Sequence, residues 1–266
     1  MRAALAAVLL MAVAAPDAAA QAPVVNAQVE RRQAAQSIQR EVQAVADRGT
    51  ASWVGYRVPL ARIGSTSLRF SDSCCGRCRL EPPTDLVVLT RVERKALVEL
   101  RPIAVDCDID AAGMPLVWLE GVNQDDSVAW LATLAGSQTS SRRVADSALV
   151  ALAQHATPTA APVLVRFARE SITSGTRSQA LVWLAQRAAQ HALPANDAAL
   201  VQDPDTEVQK QAVAALSRLP KDDGIPRLIE LAGTHRNIEV RRQAIFWLGQ
   251  SRDPRAVEFF AQILSK

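Results

Sequence analysis

Apolar residues return at a fixed interval through the second half of the chain. Ala148-Leu149, Ala180-Leu181, Ala212-Val213 and Ala244-Ile245 recur every 32 residues. Leu152, Leu184, Leu216 and Leu248 follow in the same register, and Val144, Thr176, Val208 and Val240 precede them by a turn. Within each unit these positions stand at i−4, i, i+1 and i+4, which is one face of an α-helix. A second ladder is set by Pro162, Pro194 and Pro226, with Glu258 in the fourth place. Each opens another apolar stretch, as proline can in the first turn of a helix. Gly224 and Asp253-Pro254 are read as turns between the paired helices. The unit is therefore helix, turn, helix. One such unit cannot bury its own apolar face, whereas stacked units can. The fold class expected is mostly α, with an α-solenoid of four 32-residue helix hairpins over 138–266.

Upstream the period changes. Ile38, Val42 and Val45 fit a helical face within Asn26 to Asp47, and Gly49 offers a stop, so residues 21–48 are read as one amphipathic helix that includes Val29. Trp53 to Leu60, Leu86 to Val92, Leu97 to Val105 and Leu116 to Leu119 are rich in β-branched residues, and Glu93-Arg94-Lys95 is a hairpin turn. Residues 49–125 thus predict a small α+β domain with the cysteines. Asp125-Asp126 begins a further helix that stops at Gly136, and residues 126–137 are read as a cap over the open end of the array.

The segments Arg177-Ser178-Gln179-Ala180-Leu181-Val182-Trp183-Leu184 and Arg241-Arg242-Gln243-Ala244-Ile245-Phe246-Trp247-Leu248-Gly249 resemble HEAT-like repeats of the short bacterial type, similar to those of phycobilisome-lyase-like proteins. The resemblance covers the C-terminal half. It implies a solenoid and, since such arrays mostly serve as binding surfaces, a partner rather than a particular reaction. A bacterial source is expected on the same ground.

The first residues are set apart. Arg2, the apolar run Ala3 to Ala15, Pro16 and Ala18-Ala19-Ala20 before Gln21 make a secretory signal peptide, with cleavage expected after Ala20. The run is too short to span a bilayer, which takes roughly 20 residues. A periplasmic or secreted chain with no transmembrane segment after cleavage is expected. The net charge of +3, without a Lys/Arg block or aromatic-rich basic strand, argues against nucleic acid as a partner.

Four cysteines then bear on the compartment. Cys75 and Cys78 have C-x-x-C spacing, but Pro82-Pro83 follow and no βαβ pattern surrounds them, so structural disulfides are favoured over redox work. With adjacent pairing of Cys74 and Cys75 set aside, two arrangements remain. One joins Cys74 to Cys78 and Cys75 to Cys107. The other joins Cys75 to Cys78 and Cys74 to Cys107.

Other chemistry is sparse. Asp106, Asp108 and Asp110 alternate, but a calcium loop would need glycine and glutamate where Ala111 and Val117 stand. His155, His191 and His235 are not followed by Glu and lie in different repeat columns, unlike the His-Glu pairs of HEAT-like metal hydroxylases. They are read as exposed loop or helix-end residues, and no catalytic residue, metal or cofactor is expected.

The columns two and three places after the repeat alanine read Val150-Ala151, Val182-Trp183, Ala214-Ala215 and Phe246-Trp247. Bulky pairs alternate with small ones. Either they fill space between repeats, or Trp183, Phe246 and Trp247, edged by Arg177 and Arg241, form a groove for a protein or peptide. The expected function is an exported, non-catalytic scaffold. The alternatives are a lyase-type enzyme acting on an apolar ligand and thiol-disulfide exchange through Cys75 and Cys78.

Overall fold

The computed structural model describes residues 24–61, 83–105, 107–187 and 189–265. Among them the chain forms β1 (Val24–Val25), β2 (Val29–Gln33), α1 (Ile38–Ala46), β3 (Ser52–Pro59), β4 (Asp85–Glu93), β5 (Ala96–Ala104), β6 (Ile109–Asp110) and β7 (Leu116–Glu120). Helices follow without interruption: α2 (Gln124–Gly136), α3 (Arg142–Ala153), α4 (Ala160–Glu170), α5 (Ser174–Arg187), α6 (Ala189–Gln202), α7 (Thr206–Leu216), α8 (Lys221–Thr234), α9 (Ile238–Ser251) and α10 (Pro254–Leu264).

Five strands form a mixed sheet in the order β2-β7-β3-β4-β5, while β1 pairs with β6 apart from it. The β3-β4-β5 meander is antiparallel, and β7 returns to run parallel to both β3 and β2. Arg94 and Lys95 both take positive φ in the β4–β5 turn, the conformation whose twist suits a two-residue hairpin. The central strands β7, β3 and β4 are buried on both faces. Val54, Tyr56, Leu86, Val88, Val117 and Leu119 pack toward α1 and α2, while Trp53, Val87, Leu89, Leu116 and Trp118 form a second cluster opposite. Gly55 lies on the second face, where a Cβ would come 2.9 Å from a Leu89 methyl and 3.0 Å from the Trp118 ring.

The N-terminal helix is shorter than the sequence suggests. Val29–Gln33 is the edge strand β2, and only Ile38–Ala46 is helical. Val29 does not share the spacing of Ile38, Val42 and Val45, which are the buried face of α1. Gly49, with φ +77°, turns the chain out of that helix.

The helical half is two-layered. Helices α3, α5, α7 and α9 pack on one another in succession, and so do α2, α4 and α6, with α10 against α8. The alanine register is the contact line: Ala148, Ala180, Ala212 and Ala244 are fully buried, as are Leu152, Leu184 and Leu216. Helix α2 occupies the second layer beneath α4. Two further columns with the same period define the geometry. Ser141, Thr173, Asp205 and Asn237 each offer a side-chain oxygen to a backbone N–H of the following first turn. Val128, Ala160, Ala192, Gly224 and Ala256 are small or β-branched residues in the second layer, and all of them are buried.

Gly224 is not in a turn. It lies inside α8, where a Cβ would stand 2.4 Å from the Leu216 carbonyl oxygen, so glycine is what lets α8 approach the end of α7. The prolines are also further in than first positions: α6 and α8 begin five residues before Pro194 and Pro226, and Pro162 is the third residue of α4. Asp253 caps α10 with Pro254 at its first turn.

Candidate functional site

The alternating aromatic column divides into residues of different standing. Trp183 on α5 and Trp247 on α9 are half-buried and packed against the continuous core. Phe246 stands 54% exposed and meets the Trp247 ring edge-on, with centroids 5.2 Å apart. Trp247 borders a surface cavity of about 230 Å³ with Arg218, Ile225, Leu228 and Gln250. Its indole N–H is buried without an acceptor.

Arg177 and Arg241 share a column, and each reaches back to the end of the preceding helix. Arg177 donates to the carbonyls of Ser171 and Ile172; Arg241 donates to those of His235 and Arg236, the same positions two repeats later. Gln209, between them in register, donates to the Asp203 carbonyl. A cation suits this place because the last carbonyls of a helix lack partners and carry partial negative charge. Arg177 also forms a two-pronged ion pair with Asp203, at 2.6 and 3.0 Å, with both side chains largely buried. The Asp203 bond holds the Arg177 pKa above its ordinary value. Arg177 is thereby committed to closing the repeat, and it borders a surface cavity of about 480 Å³ with Arg169, Gln202 and Asp203. Arg187 does a related task on α5, donating to the carbonyls of Ala153, His155 and Thr157.

A larger cavity, of about 570 Å³, lies where edge strand β5 meets α3. Trp53, Leu100 and Ile103 give it an apolar floor, and Arg101, Arg143 and Asp146 line its rim. The Arg101 guanidinium stands 5.0 Å over the Trp53 ring, within cation–π range. Arg101 also donates to Glu99 at 2.6 Å. Two arginines, Arg101 and Arg91, hold the Glu99 carboxyl below its usual pKa against the opposing effect of burial.

His155 is not exposed. It is fully buried at the end of α3, where Leu60 forms a bridge to its backbone. Its Nδ1 lies 2.8 Å from the Ala151 carbonyl, which can only accept, so Nδ1 carries the hydrogen. Nε2 then accepts from Ser127 Oγ at 2.8 Å, and Ser127 Oγ accepts from the Tyr56 hydroxyl at 2.8 Å. Burial pushes the Tyr56 pKa up and is the main cause that brings His155 down to about 4. The chain Tyr56–Ser127–His155 joins sheet, α2 and first repeat. All three side chains are buried, and none of them lines any of the three cavities just described. Sequence reasoning missed it because the three residues are distant in the chain and belong to no column.

His235 is half-buried at the end of α8: Nε2 donates to the Leu200 carbonyl, and Nδ1 accepts from the Asn237 amide. The side chain of His191 lies outside the described residues, as do Cys74, Cys75, Cys78 and Asp106. Cys107 is buried. Asp110 accepts from Asn26 and from the Ala112 amide, while Asp108 is exposed. Among the described residues no helix is long and apolar enough to cross a membrane.

Two layers of helices stacked through a 32-residue register, each first helix capped at the same position, define an α-solenoid of helix hairpins. Residues 193–266 match the model of the HEAT repeats family, and the C-terminal region is a HEAT-like repeat array. The match does not extend to the sheet domain. Among solved structures, human deoxyhypusine hydroxylase in complex with glycerol is similar at a TM-score of 0.40 and 18% identity, over 47% of this chain and 43% of that one. The chain therefore spans less than half the length of that neighbour. Curated proteins give no match.

Proposed function

We propose that this chain is an exported, non-catalytic scaffold that binds a protein or peptide on the surface of its repeat array. The observation that carries the reading is Phe246: a large aromatic side chain half in solvent, braced edge-on by Trp247 beside a cavity. Aromatic residues held this way are favoured interface anchors, because little conformational freedom is lost when they are covered. Trp247 braces the anchor, Trp183 and Arg241 are further candidates for contact along the array, and Arg177 belongs to the framework.

Export rests on the N-terminal pattern and on cysteine usage. Cys107 is disulfide-bonded, which suits an oxidising compartment. Its partner, on this reading, comes from Cys74 or Cys75. Nucleic acid remains a poor partner, since Arg91, Arg177, Arg227 and Arg255 are engaged in ion pairs.

The test compares wild type with Phe246→Asp, both as bait in the extracytoplasmic fraction of the native host. A protein retained by wild type and lost by a variant of unchanged melting temperature is the expected result. Identical sets of captured proteins overturn the reading. N-terminal sequencing of exported material should begin at Gln21, and a retained Met1 overturns the export part.

A further inference from the structure

The two repeats that carry a tryptophan differ one turn further on. In α5, Trp183 is followed four places later by Arg187, which reaches back to the carbonyls of Ala153, His155 and Thr157 in the preceding repeat. In α9, Trp247 is followed at the same interval by Ser251. The Ser251 hydroxyl donates to the Leu248 carbonyl and accepts from the Asp253 amide, so it stays within its own repeat. The other members of this 32-residue column are bulky: His155 is fully buried, and Leu219 is buried in the continuous core. Ser251 alone is small.

The cavity of about 230 Å³ beside Trp247 opens at that place. Ser251 and Trp247 line it from the fourth repeat, and Ser217, Ile225 and Leu228 from the third. The helices on its two sides pack on one another, α9 on both α7 and α8. Its surroundings also differ from those of Arg187. Ile225 stands where the register places Ala161, and Arg218 where it places Gln154. The floor is therefore more apolar, and the rim carries a cation. Arg218 is exposed and donates to the Ala214 carbonyl, and no carboxylate among the described residues pairs with it. Beside that charge a second guanidinium is opposed and a carboxylate is favoured.

We propose that the cavity receives one leucine- or methionine-sized side chain of a bound peptide, with a neighbouring acidic residue of that peptide paired to Arg218. This rests on the scaffold reading and gives its partner a chemistry. A volume of about 230 Å³ admits one large side chain and lies below the roughly 300 Å³ at which small-molecule pockets begin. Trp247 is both a wall of the cavity and the brace of Phe246, so a peptide laid over the aromatic pair meets the opening.

A phage-displayed library of random dodecapeptides, panned on the full chain, supplies the probe. Wild type should enrich sequences that place Leu or Met close to Asp or Glu. Ser251→Leu puts the residue of the preceding repeat into the column and should weaken an enriched peptide by about tenfold or more in fluorescence polarisation. Its melting temperature should hold, because packing gained in the cavity offsets the two hydroxyl bonds lost. Arg218→Glu changes an exposed side chain and should turn the selection from acidic toward basic sequences, whatever Ser251→Leu does to the fold. An enrichment without this pattern, or none, overturns the inference. So does a folded Ser251→Leu that binds as wild type does, or an Arg218→Glu selection that stays acidic. Hexanoate that binds wild type in calorimetry and not Ser251→Leu, with no peptide enriched, overturns it in favour of a free carboxylic acid. Phe246→Asp keeps the two readings apart: a peptide lost on Phe246→Asp and retained by Ser251→Leu leaves the scaffold standing and removes only the role of the cavity.

Discussion

Ser127 Oγ donates to His155 Nε2 across 2.8 Å, joining the helix that caps the array to the first repeat inside a space closed to solvent. The direction of this bond is fixed by the Ala151 carbonyl on the other ring nitrogen. A protonated imidazole would need an acceptor where Ser127 now donates, and the guanidinium of Arg187 nearby opposes it further.

Stability should therefore depend on pH through His155. Its folded pKa, about 4, lies below the ordinary 6.5, mainly because burial disfavours the charged form. The unfolded chain binds the extra proton first, so stability is complete above about pH 6.5 and falls as pH drops toward 4. The loss over that window is roughly 3 kcal/mol. Urea titrations at a series of pH values should show it, and His155→Gln should flatten the slope in that window.

Arg177 and Arg241 share a column but not a burden. Arg177→Ala leaves the Asp203 carboxylate buried without its cation, a loss of about 3 kcal/mol. Arg241→Ala removes only bonds to two carbonyls near solvent, worth about 1 kcal/mol. Chemical denaturation of the two variants should rank them in that order.

Asn196 breaks an otherwise apolar column of Ala132, Leu164, Leu228 and Phe260. It is fully buried, and both its amide nitrogen and its oxygen lack a partner. Unmade bonds of this kind cost about 1–3 kcal/mol. Asn196→Leu should accordingly raise the melting temperature, and a lowered one would show that the amide is satisfied by water or by a bound group.

The aromatic column should respond unevenly. Trp183→Ala and Trp247→Ala each remove packing against the core, at a cost of about 2–4 kcal/mol, somewhat below that for a fully buried tryptophan. Phe246→Ala should stay within about 0.5 kcal/mol of wild type, as exposed positions do. Thermal melts of the three variants check this, and an equal loss in all three would place Phe246 inside the core.

The array was legible because its contacts are local and repeated. Ala148, Ala180, Ala212 and Ala244 lie where their spacing puts them, on the line where neighbouring helices touch. The capping column of Ser141, Thr173, Asp205 and Asn237 carries the same period and could have been read from residue type alone. The β2 strand was not legible: Val-Glu-Arg-Arg-Gln is mostly polar because it is an edge, exposed along most of its length. Its parallel pairing with β7 joins residues almost ninety positions apart, and no local pattern encodes that. Gly224 read as a turn because glycine usually marks one, whereas here it makes room for a carbonyl. The aromatic column was visible in outline. Which of its members faces water depends on neighbours that the column does not contain.

The shared register of α2 and the helices beyond it also bears on how such a molecule can change size. Asp125 on α2 accepts from Thr157 one full period later, so even the capping helix obeys the spacing of the array. The sheet domain is locked to one end through Tyr56, Ser127 and His155. A hairpin gained or lost as a unit of one period toward α10 would leave every other contact in register. The reach of the molecule is then a whole number of steps counted from a fixed base, and its length can vary while its foundation stays unaltered.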